Sequence, residues 1–537
     1  MSSEEVLSDS SSEIYRSSTI KRCRVISDDE TESEHESDWY ADSNNSNQIW
    51  FNPIGNQPNL KSFSGIPGIN VSNNKVLECN SPIDFYSLFL NEEIIQMIVN
   101  QTNLYANQMM KRNQSERLSK WIPTNIHEIK QLFGLIMWMG LVKLPTIQLY
   151  WTKDVLFAQS FPRTVMSRNR FEILLRMLHF ADNEQISNPN NLLYKLQTLI
   201  DTLNKNFKEY YNPSETVCID ESIIPLRGRI IFRQYIKIFK LCSTSGYTNS
   251  FQVYAGKTTN TEETTPISVV MSLCQNIINL GHTLCTDKRY TSIALAEKLL
   301  SVDTHSIGIL QVNRRDIPKD ILSKKLQRGE IIAREHKNGI TILKWKDKRN
   351  VLMLSTKHST EMVTVTGRRN NCIKPKIIAD YNISKSYVDL SDHMTSYLSP
   401  LRKGQKWYKR LAFELLFNTS VINAWIMHNN IINNRISILE FRQKLVKQLT
   451  EHLNDTDTSL PRMQLTIRRH HEIKSKNGSA RQTRRRCKRC YEENVKKFGR
   501  EFAKNRTKKV TTFCGNCTSN PYYCLPCFNT VHRDLPI

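Results

Sequence analysis

The sequence predicts a mixed α/β protein with a helical first part, a strand-rich middle and a small cysteine-rich tail. Three observations carry this reading. Amphipathic runs at helical spacing begin at Pro82, apolar segments of strand length follow Pro213, and three C-x2-C pairs lie between Cys487 and Cys527. The 537 residues leave room for about three or four units.

Residues 1–78 are rich in Ser, Asp, Glu and Asn, with SDDETESEHESD at the centre and no sustained apolar period, which predicts a disordered acidic tail. Its serines beside acidic residues read either as phosphorylation sites or as a plain solubilising stretch. From Pro82 the texture changes. Phe85, Leu88, Phe89, Ile95, Ile98 and Val99 recur at helical spacing, and IHEIKQLFGLIMWMGLV and RNRFEILLRMLHFAD repeat the pattern, so 79–210 is predicted helical.

After Pro213, TVCID is a short strand ending in Asp220, and GHTLCTD is a strand ending in Asp287. Between them IKIFKLCS and SFQVYAG form a hairpin around TSGYTN. A helix, TSIALAEKLLS, and a strand, HSIGILQV, complete an α/β layer over 211–310. A Lys-rich stretch and the two runs of GITILKWKDKRNVLMLST, turning at Asp347 and Lys348, predict an inserted β subdomain over 311–375. SYVDLSDHMTSYL and RLAFELLFNTSVINAWIMHNNI return the chain to helix over 376–450. A polar linker, 451–483, then leads to the Cys-rich segment 484–537.

Net charge is +24, and its placement says more than its size: residues 1–50 hold 12 Asp/Glu against 4 Lys/Arg, residues 468–537 hold 18 Lys/Arg against 5 Asp/Glu. A basic tail neutralises phosphates and releases counterions, which makes nucleic acid the leading partner; a solvated charge run or an import signal is the other reading. The longest strongly apolar run, Leu132 to Val142, falls well short of the ~20 residues of a membrane span. The N-terminus lacks the basic start and apolar stretch of a secretory signal, so a cytosolic or nuclear protein without structural disulfides is expected.

Asp220 and Asp287 close predicted strands, where open α/β sheets present their ligand-binding groups. Asp389 and Asp392 stand three apart on a predicted helix and share a face. Convergence of these groups would suit phosphodiester chemistry, in which two divalent cations about 3.5 to 4 Å apart activate the attacking oxygen and stabilise the leaving one. Hard oxygen ligands hold hard cations. Taken singly, each aspartate is weak evidence, since an Asp at a strand end or helix start is usually a cap or turn former.

Together, CIDESIIPLRGRIIFRQY, GHTLCTDKRYTSIALAEKLL and DYNISKSYVDLSDHMTSYLSPLRKGQKWYKRLAFELL resemble the three catalytic blocks of piggyBac-type transposases, including domesticated piggyBac-derived proteins. The likeness runs in order from Pro82 to His532. It implies an RNase H-like catalytic core with Asp220, Asp287 and Asp389 as the triad for Mg2+ or Mn2+, and Asp392 as a further acidic position. It also implies a helical region that binds double-stranded DNA and dimerises, and a nuclear location. The implied reaction is metal-assisted hydrolysis and strand transfer at terminal inverted repeats, through a hairpin, into TTAA-like targets. Arg227, Arg229 and Arg233 read as phosphate clamps or as solvent-facing residues of a sheet edge. Trp407 reads as a stacking surface for an unpaired base or as a core aromatic near a helix start.

Three features depart from the family's pattern. A Lys-rich stretch before the second strand is missing, Lys288 and Arg289 stand where Asn and an aromatic follow the second aspartate, and Tyr387 stands where a glycine precedes Val-Asp. A bulky residue at a tight backbone approach displaces its neighbours. The alternative to a working transposase is therefore a catalytically lapsed, domesticated DNA-binding protein.

In the tail the pairs are Cys487 with Cys490, Cys514 with Cys517, and Cys524 with Cys527, followed by His532. These are too many ligands for one tetrahedral ion, so two Zn2+ are predicted. His470 or His471 is the eighth ligand if this tail follows similar ones. Other cysteines, such as Cys218, Cys274 and Cys285, read as packing residues. RRRCKR, with Arg484, Arg485 and Arg486, and KNRTKK add charge that suits DNA or nuclear import. A cross-braced two-zinc module equally suits a histone tail or a ubiquitin-conjugating enzyme, which is the chromatin-adaptor reading.

Overall fold

The computed structural model describes residues 50–54, 61–70, 73–112, 121–184, 191, 193–226, 234–254, 265–366, 371–401, 406–432, 434–451, 473–476, 483–515, 517 and 520–533. In chain order its strands up to residue 375 are β1 (Trp50–Phe51), β2 (Gly68–Ile69), β3 (Tyr211–Asn212), β4 (Thr216–Leu226), β5 (Gln234–Ser243), β6 (Thr248–Val253), β7 (Thr283–Thr286), β8 (His305–Ile309), β9 (Ile331–His336), β10 (Thr341–Lys346), β11 (Asn350–Ser355), β12 (Met362–Thr366) and β13 (Asn371–Pro375).

Nine of these form one mixed sheet in the order β1-β9-β10-β11-β8-β7-β4-β5-β6. β4, β5 and β6 are antiparallel neighbours, while β4, β7 and β8 run parallel. Parallel neighbours need crossovers. Helix Pro266–Cys274, between β6 and β7, and helix Ile293–Leu300, between β7 and β8, supply them. Side chains alternate across the strands, so Val217, Ile219, Phe239 and Leu241 pack with Val270, Leu295 and Leu299 on the face those helices cover. The opposite face carries Cys218, Cys242 and Cys285 beneath helices Lys376–Ser384 and Ser386–Ser396, whose Ile377, Tyr381 and Val388 complete that core.

The segment 311–375, expected as an inserted β subdomain, largely joins the central sheet. β8 has a free edge once β7 is paired, and an unpaired edge leaves a row of N–H and C=O groups without partners. β11 takes that edge with Ser355 opposite Ile307, and β10 and β9 follow as an antiparallel meander. β12 and β13 form a hairpin of their own. The expected acidic tail also ends earlier than residue 78. β1 pairs with β9, Trp50 lies 5.3 Å from His336 between ring centroids, and β2 pairs with β3. Two-residue strands carry no periodicity, so the sequence holds no signal for them.

The N-terminal helices begin as their caps dictate: helix Pro82–Phe89 has Pro82 at its first position and a capping box between Ser81 and Asp84. Their apolar faces share one core with helices from the far end of the chain, Trp407–Phe413, Ser420–Ile431 and Ile438–Thr450. Phe85, Phe133 and Phe207 pack there with Phe417, Phe441 and Leu445. Helices Ile126–Leu141 and Ile438–Thr450 meet at Gly134, where a Cβ would stand 2.5 Å from Thr450 Cγ2. The helical run 79–210 and the helices from Trp407 onward, which the sequence sets apart, are thus layers of one core, while the first two helices of 376–450 stay with the sheet. Among the described residues no helix is long and apolar enough to cross a membrane.

Candidate active site and cysteine cluster

Register places the first two aspartates. β4 and β7 pair in parallel up to Ile219 opposite Thr286, so Asp220 and Asp287 are the next residues on adjacent chains. Strands in such a pair run about 4.8 Å apart, and residues in register point to the same face. β4 continues to Leu226, so Asp220 sits inside the strand while still marking the end of the parallel pairing. Asp287 opens a tight turn in which its carbonyl accepts from the backbone N–H of Tyr290 at 3.0 Å and of Thr291 at 3.1 Å.

Asp389 arrives from the covering helix. Helix Ser386–Ser396 buries Tyr387, Val388, Ser391 and Thr395 and carries Asp389, exposed, in its first turn. The other two carboxylates act on Asp220: burial pushes its carboxyl up to about 7, the Glu221 backbone N–H opposes this at 2.8 Å, and the charges of Asp287 and Asp389 add to the rise. They form a looser set than the cysteine tetrad described below. Three hard carboxylates whose mutual repulsion a cation relieves are a donor set that fits Mg2+ or Mn2+.

Asp392 faces the same side but is tied down. Its Oδ1 accepts from Lys240 Nζ at 2.8 Å and from Ser222 Oγ. Tyr387 is 6% exposed within a helical turn and packs in the Cys218 and Cys285 core, so a bulky side chain is accommodated there. Arg289, which departs from the family's aromatic, pairs with Glu221 Oε1 at 3.1 Å, and Lys237 pairs with Glu221 Oε2 at 3.1 Å. Tyr290 donates to Glu221 at 3.0 Å, and Arg314 donates to the carbonyls of Lys288 and Arg289 at 3.2 and 2.6 Å. The Arg289 and Tyr290 contacts fasten the turn after Asp287 to β4 and Arg314 braces it from the segment after β8, and sequence reading passed over them. One signal for Lys240 was present: Ile236, Ile238 and Cys242 share its side of β5 at every second position, so a lysine among them must be buried.

Arg227, Arg229, Arg233, His470 and His471 lie outside the described residues, as does the His532 side chain. Trp407 opens helix Trp407–Phe413, is 37% exposed and meets Tyr408 edge-on at 6.1 Å. It therefore presents part of its ring to solvent.

In the tail, Cys487 and Cys490 meet Cys524 and Cys527, with all four sulfurs within 4.8 Å of one another. The Sγ separations are 3.7 Å for Cys487–Cys524, 3.9 Å for Cys490–Cys524 and 3.3 Å for Cys490–Cys527. Four sulfurs about 2.3 Å from one tetrahedral ion stand about 3.8 Å apart, so the tetrad fits zinc. The first and third pairs therefore combine, and Cys514 with Cys517 stands as a separate pair in which burial and then Cys514 push the Cys517 thiol up. Strand Arg485–Arg486 pairs with Lys509–Val510, which sets the two basic clusters side by side. Arg484, Arg485 and Arg486 are exposed, with Arg486 donating to the Lys504 carbonyl at 2.6 and 2.9 Å. Cys218, Cys242, Cys274 and Cys285 are buried thiols.

Residues 81–425, which contain all three aspartates, match the family model described as Transposase IS4. Human PiggyBac transposable element-derived protein 3 is 28% identical over 398 residues, covering 68% of this chain and 64% of that protein, so the match spans just under two thirds of the relative's length. Human PiggyBac transposable element-derived protein 5 is 22% identical over 402 residues, covering 69% of this chain and 75% of the relative. The fold resembles a cryo-EM structure of the piggyBac transposase synaptic complex with hairpin DNA, with a TM-score of 0.62, 24% identity, and coverage of 72% of this chain and 83% of that one. With a family match over more than half of its residues and these relatives beside it, the chain belongs to the piggyBac-type family of DDE transposases and piggyBac transposable element-derived proteins.

Proposed function

We propose that this protein is a DNA transposase, or a domesticated derivative of one, that cuts and joins phosphodiesters at a site made by Asp220, Asp287 and Asp389. What supports this is that register sets Asp220 beside Asp287 and the covering helix brings in Asp389, the charges of both adding to the rise that burial gives the Asp220 carboxyl. The order β6-β5-β4-β7-β8, antiparallel and then parallel, supports the RNase H-like reading of the core.

When bound, Mg2+ or Mn2+ at this site supplies activation of the attacking oxygen and stabilisation of the leaving one. The chain's own residues hold and orient. Asp220 and Asp287 are fixed by strand register, and Glu221 fastens the Asp287 turn through Arg289 and Tyr290. Trp407 offers a partly open ring for a base out of its stack, and Arg227, Arg229 and Arg233 follow Asp220 as phosphate clamps. In the tail, Cys487, Cys490, Cys524 and Cys527 hold one zinc, and Cys514, Cys517, His532 and His470 or His471 hold a second. The paired basic clusters lie against terminal-repeat DNA. A homodimer acting in the nucleus at TTAA-like targets completes the reading.

The experiment is a cleavage assay with full-length protein, Mg2+ or Mn2+, and a duplex ending in the inverted repeats that flank its gene. Nicking that disappears in Asp220→Asn is the expected result. A wild-type protein that makes no cut overturns the enzymatic reading, and if it still binds the duplex it is the lapsed, domesticated form. Residues 465–537 binding a histone peptide while ignoring DNA would favour the chromatin-adaptor reading of the tail.

A further inference from the structure

Beneath the aspartates lies a buried charge. Lys240, on β5 directly opposite Asp220, is 1% exposed, and its Nζ stands 2.8 Å from Asp392 Oδ1. Lysine is almost never fully buried unless paired. Burial works against its charge, and Asp392 followed by Glu414 outweigh burial and hold the ammonium above its usual range. On the inner side, Glu414 is 7% exposed and accepts from Asn418 Nδ2 at 2.7 Å, while Asn418 Oδ1 accepts from Arg442 at 3.4 Å. Charge therefore alternates from Arg442 in the helical core, through Glu414 and Lys240, to Asp392 at the rim of the site. Glu414 also opens a π-helical turn, Glu414–Thr419, an irregularity that recurs near functional sites.

This chain of charges bears on Asp389. Apolar contacts under helix Ser386–Ser396 are non-directional, and toward β6 the helix adds one hydroxyl contact, Ser391 Oγ with Thr248 Oγ1 at 3.2 Å. A charge-assisted hydrogen bond has one short, directed geometry. Asp392 lies one turn beyond Asp389 on that helix, so whatever holds Asp392 sets how Asp389 approaches Asp220 and Asp287.

We propose that Lys240 is a positioning residue of the aspartate site: through Asp392 it locks helix Ser386–Ser396 onto the sheet so that Asp389 meets Asp220 and Asp287. This rests on the metal-site reading given above, and the experiment separates the two. Full-length protein is titrated with Mn2+ and followed by electron paramagnetic resonance, with thermal melting alongside, and the Asp220→Asn variant defines which binding belongs to the aspartates. If wild type and Asp220→Asn take up Mn2+ alike, the site reading fails and the role of Lys240 falls with it. Where wild type does bind, Lys240→Met is expected to weaken Mn2+ about tenfold, the usual cost of losing a partner that orients a metal ligand. Lys240→Met combined with Asp392→Asn is expected to cost no more than the worse single change, because both cut the same link. Ser222→Ala, which removes the other donor to the same oxygen and is too small a change to unfold the sheet, is expected to cost about threefold. Unchanged affinity in both Lys240→Met and Ser222→Ala, with only the melting temperature moved, refutes the role. A double variant whose loss is the product of the two single losses refutes it as well.

Discussion

Replacing Asp220 by Asn should make the metal-free protein more stable. Asp220 is partly buried beside two other carboxylates, and its carboxyl is pushed from the ordinary 3.8 to about 7. In the folded state the proton is held across a pH range in which the unfolded chain has already released it. Stability from this group is therefore fully present below pH 3.8 and is lost progressively as pH rises to 7. The full rise corresponds to about 4 kcal/mol at 1.36 kcal/mol per pH unit. Partial exposure and salt reduce this to about 2 to 4 kcal/mol at pH 8. Asn carries no charge and keeps an oxygen for the Glu221 N–H. The entropy of unfolding is roughly 1 kcal/mol/K for a chain of this size, so the melting temperature should rise by about 2 to 4 °C. The assay is differential scanning fluorimetry in chelator at pH 8 and pH 5, where the gain should shrink to about a third. Adding Mn2+ should then raise wild type and leave Asp220→Asn unmoved, because only the former binds it. A variant no more stable than wild type at pH 8, or one that gains equally from Mn2+, refutes the claim that the carboxylates converge under mutual repulsion.

Gly246, in the β5–β6 turn at φ +78°, lies so close to the Asp389 helix that a Cβ would meet Met394 Cε at 2.7 Å and Ser391 N at 3.2 Å. Gly246→Ala is expected to destabilise by about 1 to 3 kcal/mol and to weaken Mn2+ binding, read by melting and by metal titration; an affinity equal to wild type shows that the helix is placed by other contacts. Cys487→Ser should release one equivalent of zinc, measured with a chromogenic chelator, and open the tail to protease, since structural zinc contributes about 10 kcal/mol or more of folding energy in small modules; a variant that retains all its zinc contradicts the tetrad. Trp407→Ala should leave the melting temperature nearly unchanged, because the ring is partly exposed, while weakening binding to a hairpin with an unpaired base by about 1 to 3 kcal/mol; equal affinity for that hairpin marks Trp407 as a packing residue.

How much of this was legible beforehand depended on range. Asp220 and Asp287 stand out because each closes an apolar run of strand length, and strand periodicity is a local signal. Helix starts at Ser81 and Pro82, and the buried helical faces that follow, were legible for the same reason. The tail displayed three C-x2-C pairs, yet nothing local tells which pair joins which, and space joined the first to the third. β9 to β11 announced themselves as strands, but only the free edge of β8 made them part of the central sheet.

By itself, then, the chain's sequence determined where helices and strands run, that a basic tail carries paired thiols, and which aspartates close apolar runs of strand length. These follow from periodicity, caps and spacing, which act over a few residues. The tertiary structure alone decided that Ile219 lies opposite Thr286, that helices on either side of the sheet strands share one core, and that Lys240 is buried under Asp392. Those outcomes come from burying apolar faces against distant partners and from neutralising a charge that burial would otherwise forbid, and both depend on residues far apart along the chain.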